Sequence, residues 1–96
     1  MRFIFEWDER KNAANIKKHG IAFKDAAYVF EDPLHKRYPD RSHRDEERYI
    51  AIGFVRNIIM MVVHTMQEID DGCTLIRIIS ARKTDKSERK RYENDL

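Results

Sequence analysis

Ninety-six residues suit one small domain with a modest core, and 42% hydrophobic residues are too many for a disordered chain. The lone cysteine, Cys73, excludes an internal disulfide and a cysteine-rich zinc site, and it fits a reducing, cytoplasmic setting. Nineteen Lys and Arg against seventeen Asp and Glu leave a net charge of +2, too little for total charge alone to mark a polyanion binder.

Residues 2–7, RFIFEW, alternate with Phe3, Phe5 and Trp7 on one face and predict a strand. No apolar segment of signal-peptide length opens the chain. Asp8 reads as the N-cap of a helix that ends at His19 and Gly20. Phe23, Ala26, Ala27 and Phe30 then fall at i, i+3, i+4 and i+7, which predicts a second helix over 21–33, stopped by Asp32-Pro33. Residues 34–47 read as polar loop with a short edge strand near 35–38. Strands are expected over 48–54 and 57–66. The run IIMMVV (58–63) is apolar on both sides, which suits a central strand and is too short to cross a bilayer. Asp71-Gly72 predicts a hairpin turn, and residues 73–81 the last strand. From residue 84 a helix follows, with Asp85 and Glu88 at capping-box spacing and Tyr92 and Leu96 as its apolar anchors. The expected class is α+β: a small antiparallel sheet, two N-terminal helices on one face, and a C-terminal helix at its edge.

Charge is distributed unevenly along this chain. From Arg77 to Arg91 the cations are Arg77, Arg82, Lys83, Lys86, Arg89, Lys90 and Arg91, opposed only by Asp85 and Glu88. Arg77 lies inside an apolar strand, where in ideal alternation it shares a face with Leu75, Ile79 and Ala81. A guanidinium cannot deprotonate to escape burial. It therefore meets a carboxylate, with Glu6 and Glu47 as candidates, or it lines a site for an anion.

FEWDERKNAANIKKHGIAF near the start, ERYIAIG in the middle and IRIISARK…ERKRYE at the end resemble the BrnT family, the toxins of BrnT/BrnA type II toxin–antitoxin modules. The resemblance implies a RelE-like ribonuclease fold over residues 1–96, RNA cleavage that blocks translation, and a BrnA-type antitoxin that neutralises the toxin and binds DNA. Metal-free RNA cleavage needs a base for the ribose 2′-OH, cations on the phosphorane, and an acid for the leaving 5′-oxygen. Laid on the motif positions, Arg77, Arg82 and Arg48 are the phosphate-binding candidates. Glu88, Tyr92, Lys83 and His19 form the pool for base and acid. Lys18 and Arg89 are further RNA contacts.

Several of these have a plainer alternative. Lys18 and His19 also suit the C-terminal end of a helix dipole. Lys83 also suits a solvated strand end. Arg89 with Glu93, and Lys86, Lys90 and Arg91, also suit a solvated helix face. Arg48 would face Arg77 across the sheet only with an anion between them. Trp7 and His64 read as core residues, while His35 and His43 carry no assignment. The four histidines show no metal-ligand spacing, so neither metal nor other cofactor is expected. Two other functions use the same residues: a non-catalytic nucleic-acid-binding module, and a protein-interaction domain whose cations pair internally.

Overall fold

The computed structural model describes residues 2–42 and 45–94, so His43 and Leu96 lie outside the described residues. The strands are β1 (Arg2–Glu6), β2 (Lys36–Asp40), β3 (Arg48–Val55), β4 (Ile58–Asp70) and β5 (Cys73–Lys83). The helices are α1 (Glu9–His19), α2 (Phe23–Ala26), continued by a 3₁₀ segment (Ala27–Glu31), and α3 (Lys86–Asn94). No helix among the described residues is long and apolar enough to cross a membrane.

The five strands form one sheet in the order β1-β5-β4-β3-β2. It is mixed, and this corrects the antiparallel expectation. β2 to β5 form an antiparallel meander, but β1 joins β5 in parallel, with Phe3 opposite Thr74 and Glu6 opposite Arg77. The helical segment between β1 and β2 carries the chain from one sheet edge to the other, which a tight turn cannot do.

The second helix is also corrected. Only four α-helical residues form before the backbone tightens into the 3₁₀ segment. Its start at Ala22 has no side-chain cap, and Tyr28, Val29 and Phe30 are poor helix formers in succession. Phe23, Ala26 and Val29 are all fully buried, so the buried face repeats every third residue, as a 3₁₀ winding dictates. Val29 presses on β3 at Gly53, where an added Cβ would lie 2.8 Å from Val29 Cγ1, so only glycine allows the close approach.

Two apolar clusters result. The larger lies between helices and sheet and includes Phe23, Phe30, Val62, Ile76, Ile78 and Ala81, with Phe3, Phe5 and Trp7 packed against it. The second lies on the opposite face, where Tyr92 of α3 covers Ile52 and Met61.

β4 and β5 carry a bulge that the sequence does not announce. Val63 pairs with Ser80, but the next pair is His64 with Ile78, so Ile79 is the extra residue. The alternation of β5 therefore slips by one. Ala81 joins Ile76 and Ile78 in the helix-side cluster, and Ser80 and Arg82 turn to the opposite face. Strict alternation had put Ala81 with Arg77; the bulge puts Arg82 there instead.

Candidate active site

The end of β5 is held from its outer edge. β1 stops opposite Arg77, so among the described residues β5 has no strand partner on that side beyond it. α1 takes over. The buried Asn15 accepts from the Ala81 N–H at 3.1 Å and donates to the carbonyls of Ala81 at 2.9 Å and Ile21 at 2.8 Å. Asn12 accepts from the Phe23 N–H at 2.9 Å, and Asp8 caps the helix by accepting from Arg10 N–H at 2.7 Å. Gly20 closes it at φ 73°. The block DERKNAANIKKHG thus fixes the strand that carries Arg82.

Arg82 emerges on the open face one residue beyond this clamp. Its fork donates to both carboxylate oxygens of Glu88, Nη1 to Oε1 at 2.9 Å and Nη2 to Oε2 at 2.8 Å. Glu88 is only 13% exposed and Arg82 37%. The expected capping box is present: Asp85 N–H donates to Glu88 at 2.9 Å and Glu88 N–H to Asp85 at 2.8 Å. Glu88 therefore starts α3 and anchors Arg82 at once. From α3, Arg91 places its guanidinium 4.3 Å from the ring centroid of Tyr38 on β2. Burial raises the Tyr38 pKa above the usual phenol value, and Arg91 and Arg82 oppose the shift.

Arg77 lies farther back along β5: it faces Thr65 and Arg82 faces Met61, four residues apart on β4, or about 13 Å at strand rise. It is 43% exposed and pairs with Glu46, not with Glu6 or Glu47. Arg48 Nε donates to the other oxygen of the same carboxylate at 3.0 Å. The anion required between Arg48 and Arg77 is thus intramolecular. Hydrogen bonding from Arg48, helped by the charge of Arg77, lowers the Glu46 pKa. Glu46 stands between two open clefts of about 390 and 470 Å³, which also hold Asp40, Glu47 and Glu6. Acids outnumber arginines there, whereas cations dominate around α3.

The Tyr92 ring is buried on Ile52 and Met61, and its hydroxyl donates to Asp32 at 2.7 Å. Asp32 also accepts from the N–H groups of Phe54 and Leu34. Burial first, then the Asp32 contact, pushes the Tyr92 pKa to about 12. Burial opposes charge on Asp32, but its three hydrogen bonds outweigh that and lower its pKa. The bond ties α3 to the segment before β2. Lys83 and Arg89 line a small cleft with Asn57 and Thr84. Lys18 and His19 lie in the last turn of α1. Trp7 packs edge-on to Phe23, its ring centroid 6.2 Å away.

A family model described as the ribonuclease toxin, BrnT, of type II toxin–antitoxin systems matches residues 7–88. The chain belongs to the BrnT toxin family. The match spans the Asp8–Gly20 block, β5 and the capping box, and its last residue is Glu88. No individual curated protein matches the chain. BrnT membership implies a ribonuclease toxin with an RNA substrate and an antitoxin partner.

Three residues of this arrangement escape sequence reasoning. Glu46 sits in a polar loop, Tyr38 on an edge strand and Arg91 in a charge run; none has a local signal, because only the tertiary fold brings them to the arginines. His64 is core, as its position in the central strand predicts, but its Nε2 has no hydrogen-bond partner among the described residues. Its Nδ1 lies 3.1 Å from the Val62 carbonyl, and the Phe30 ring stands edge-on at 4.8 Å. Burial lowers its pKa from 6.5 to about 4. Below pH 6.5 the unfolded chain binds a proton that the folded one refuses, so acidification toward pH 4 destabilises the fold. The loss from pH 7 to pH 5 is about 2 kcal/mol from this group, since each pH unit is worth about 1.4 kcal/mol. Urea unfolding at the two pH values should show this difference in the wild type and not in His64→Leu.

Proposed function

We propose that this BrnT chain is a one-domain, RelE-like endoribonuclease toxin that cleaves cytoplasmic RNA without a metal ion and so inhibits translation. A BrnA-type antitoxin neutralises it, and contact with DNA comes only through that antitoxin. Family membership supports the ribonuclease reading. The observation that carries the site assignment is the partly exposed Arg82 fork, held by Glu88 on a face where Arg91 also stands. A fork that clasps a carboxylate clasps a phosphate equally well.

In this reading the scissile phosphate takes Arg82 away from Glu88. The freed carboxylate accepts the 2′-OH proton, the 2′-oxygen attacks phosphorus, and the 5′-oxygen leaves. The products are a 2′,3′-cyclic phosphate and a 5′-hydroxyl. Arg82 stabilises the phosphorane charge in a half-buried setting, where fixed cations act most strongly. Tyr92 positions α3 through Asp32. Arg48 and Arg77 steer RNA from a distance, with Glu46 as their resting counter-ion. Lys83 and Arg89 extend the contact along α3. Lys18 and His19 complete the basic rim at the end of α1.

Incubating the purified chain with RNA in EDTA tests this. Cleavage to cyclic-phosphate ends is the expected result. Salt-dependent binding without turnover would instead make it a nucleic-acid-binding module. No affinity for RNA would leave a protein-interaction domain.

A further inference from the structure

Cleavage needs an acid for the 5′-oxygen as well as a base, and the obvious candidates are committed elsewhere. The Tyr92 hydroxyl donates to Asp32. His19 lies on α1, which packs along the outer edge of β5. Tyr38 is differently placed. It pairs with Ile50, Ile50 pairs with Val63, and Val63 pairs with Ser80. That cross-strand row runs over the open face to the residue two before Arg82. α3 approaches from the other side, and Arg91 stands over the Tyr38 ring, its guanidinium 4.3 Å from the centroid. Glu88, which holds the Arg82 fork, lies three residues before Arg91 on the same helix, so one turn of α3 joins the pair to Tyr38.

We propose that Tyr38 is the general acid of the cleavage reaction, donating its phenolic proton to the departing 5′-oxygen across from Glu88. This rests on the cleavage reading above. The balance is complete within the named groups. The 2′-oxygen–phosphorus bond forms as the 2′-OH proton passes to Glu88. The phosphorus–5′-oxygen bond breaks as the Tyr38 proton passes to the leaving oxygen. The Tyr38 phenolate then takes a proton from solvent, and Glu88 gives its own up. A phenol suits the acid role because it stays protonated at neutral pH, and the two nearby guanidinium groups stabilise the phenolate that forms. Arg91 thereby gains a role beyond a solvated helix face.

Tyr38→Phe tests the assignment, since it keeps the ring under Arg91 and removes only the hydroxyl. The substrates are an RNA oligonucleotide and the same oligonucleotide with sulfur replacing the 5′-bridging oxygen at the cleaved position. A thiolate leaves without help from an acid. Tyr38→Phe is expected to cut the RNA at least about a hundredfold more slowly, the usual worth of a positioned acid, with KM within a few-fold of wild type. On the sulfur substrate it should match wild type. The ratio of the two rates within one sample does not depend on the fraction of protein folded. Equal cutting of RNA by wild type and variant overturns the assignment. So does a variant equally slow on both substrates, which marks a structural role. If wild type cuts neither substrate, the cleavage reading falls and takes Tyr38 with it; if wild type cuts and the variant pattern is absent, only Tyr38 falls.

Discussion

Arg82→Ala is expected to slow RNA cleavage about a thousandfold while the protein stays folded. Removing one preorganised donor from a developing oxyanion typically costs about 10²–10³ in rate, and a bidentate guanidinium supplies two donors and a full charge. Three features single out Arg82 among the seven cations between Arg77 and Arg91. The bulge at Ile79 turns it onto the open face. The Asn15 clamp fixes the adjacent Ala81. Glu88 holds its fork flat and preformed. Arg82→Lys should fall between wild type and alanine, because a point charge keeps attraction and loses the fork. Glu88→Gln separates binding from chemistry: it frees Arg82 for phosphate, so RNA should bind more tightly while cutting falls. By contrast Arg77→Ala should weaken binding only a few-fold, because Arg77 stands about 13 Å back along the strand among more acids than arginines. Single-turnover rates and anisotropy binding on the four variants check this. Arg82→Ala cutting at the wild-type rate would remove Arg82 from the reaction.

Features written in local chemistry were legible in the sequence. The caps of α1, the capping box of α3, the Asp71-Gly72 turn and the central position of β4 each depend on residues a few places apart, so spacing reveals them. What depended on register was not. A one-residue slip changes every facing in a strand, and nothing in IRIISARK marks Ile79 as the residue left over. The same limit hid the partner of Arg77. Glu6 does stand opposite Arg77 in the β1–β5 register, yet the ion pair goes to Glu46 from the loop before β3. In parallel pairing the direction of β1 was equally invisible, because residues 2–7 alternate the same way whichever way they run. Arg91 read as part of a solvated face because its partner ring, Tyr38, lies some fifty residues earlier in the chain.

Asn15→Leu is expected to lower stability by about 3 kcal/mol and the melting temperature by roughly 12–24 °C, a large share of what a domain this size possesses. The substitution keeps the branched outline of the side chain, with bulkier methyl ends, and deletes three hydrogen bonds in a buried place. It leaves the Ala81 N–H, the Ala81 carbonyl and the Ile21 carbonyl without partners, and orphaned buried groups cost about 1–3 kcal/mol each, not additively. Asn12→Ala, which removes one part-buried bond to Phe23, should cost only about 1 kcal/mol. Asn15→Asp sharpens the point, because it keeps the acceptor for Ala81 N–H but turns a carboxylate toward two carbonyl oxygens. Burial and those oxygens raise the pKa of such a carboxyl. Its deficit against wild type should therefore shrink as pH falls and the acid regains a proton to donate. Thermal melts of the three variants at pH 7 and pH 5 decide the matter. A loss below about 4 °C for Asn15→Leu would mean that water takes the place of the amide, and that the DERKNAANIKKHG block does not hold the strand under Arg82.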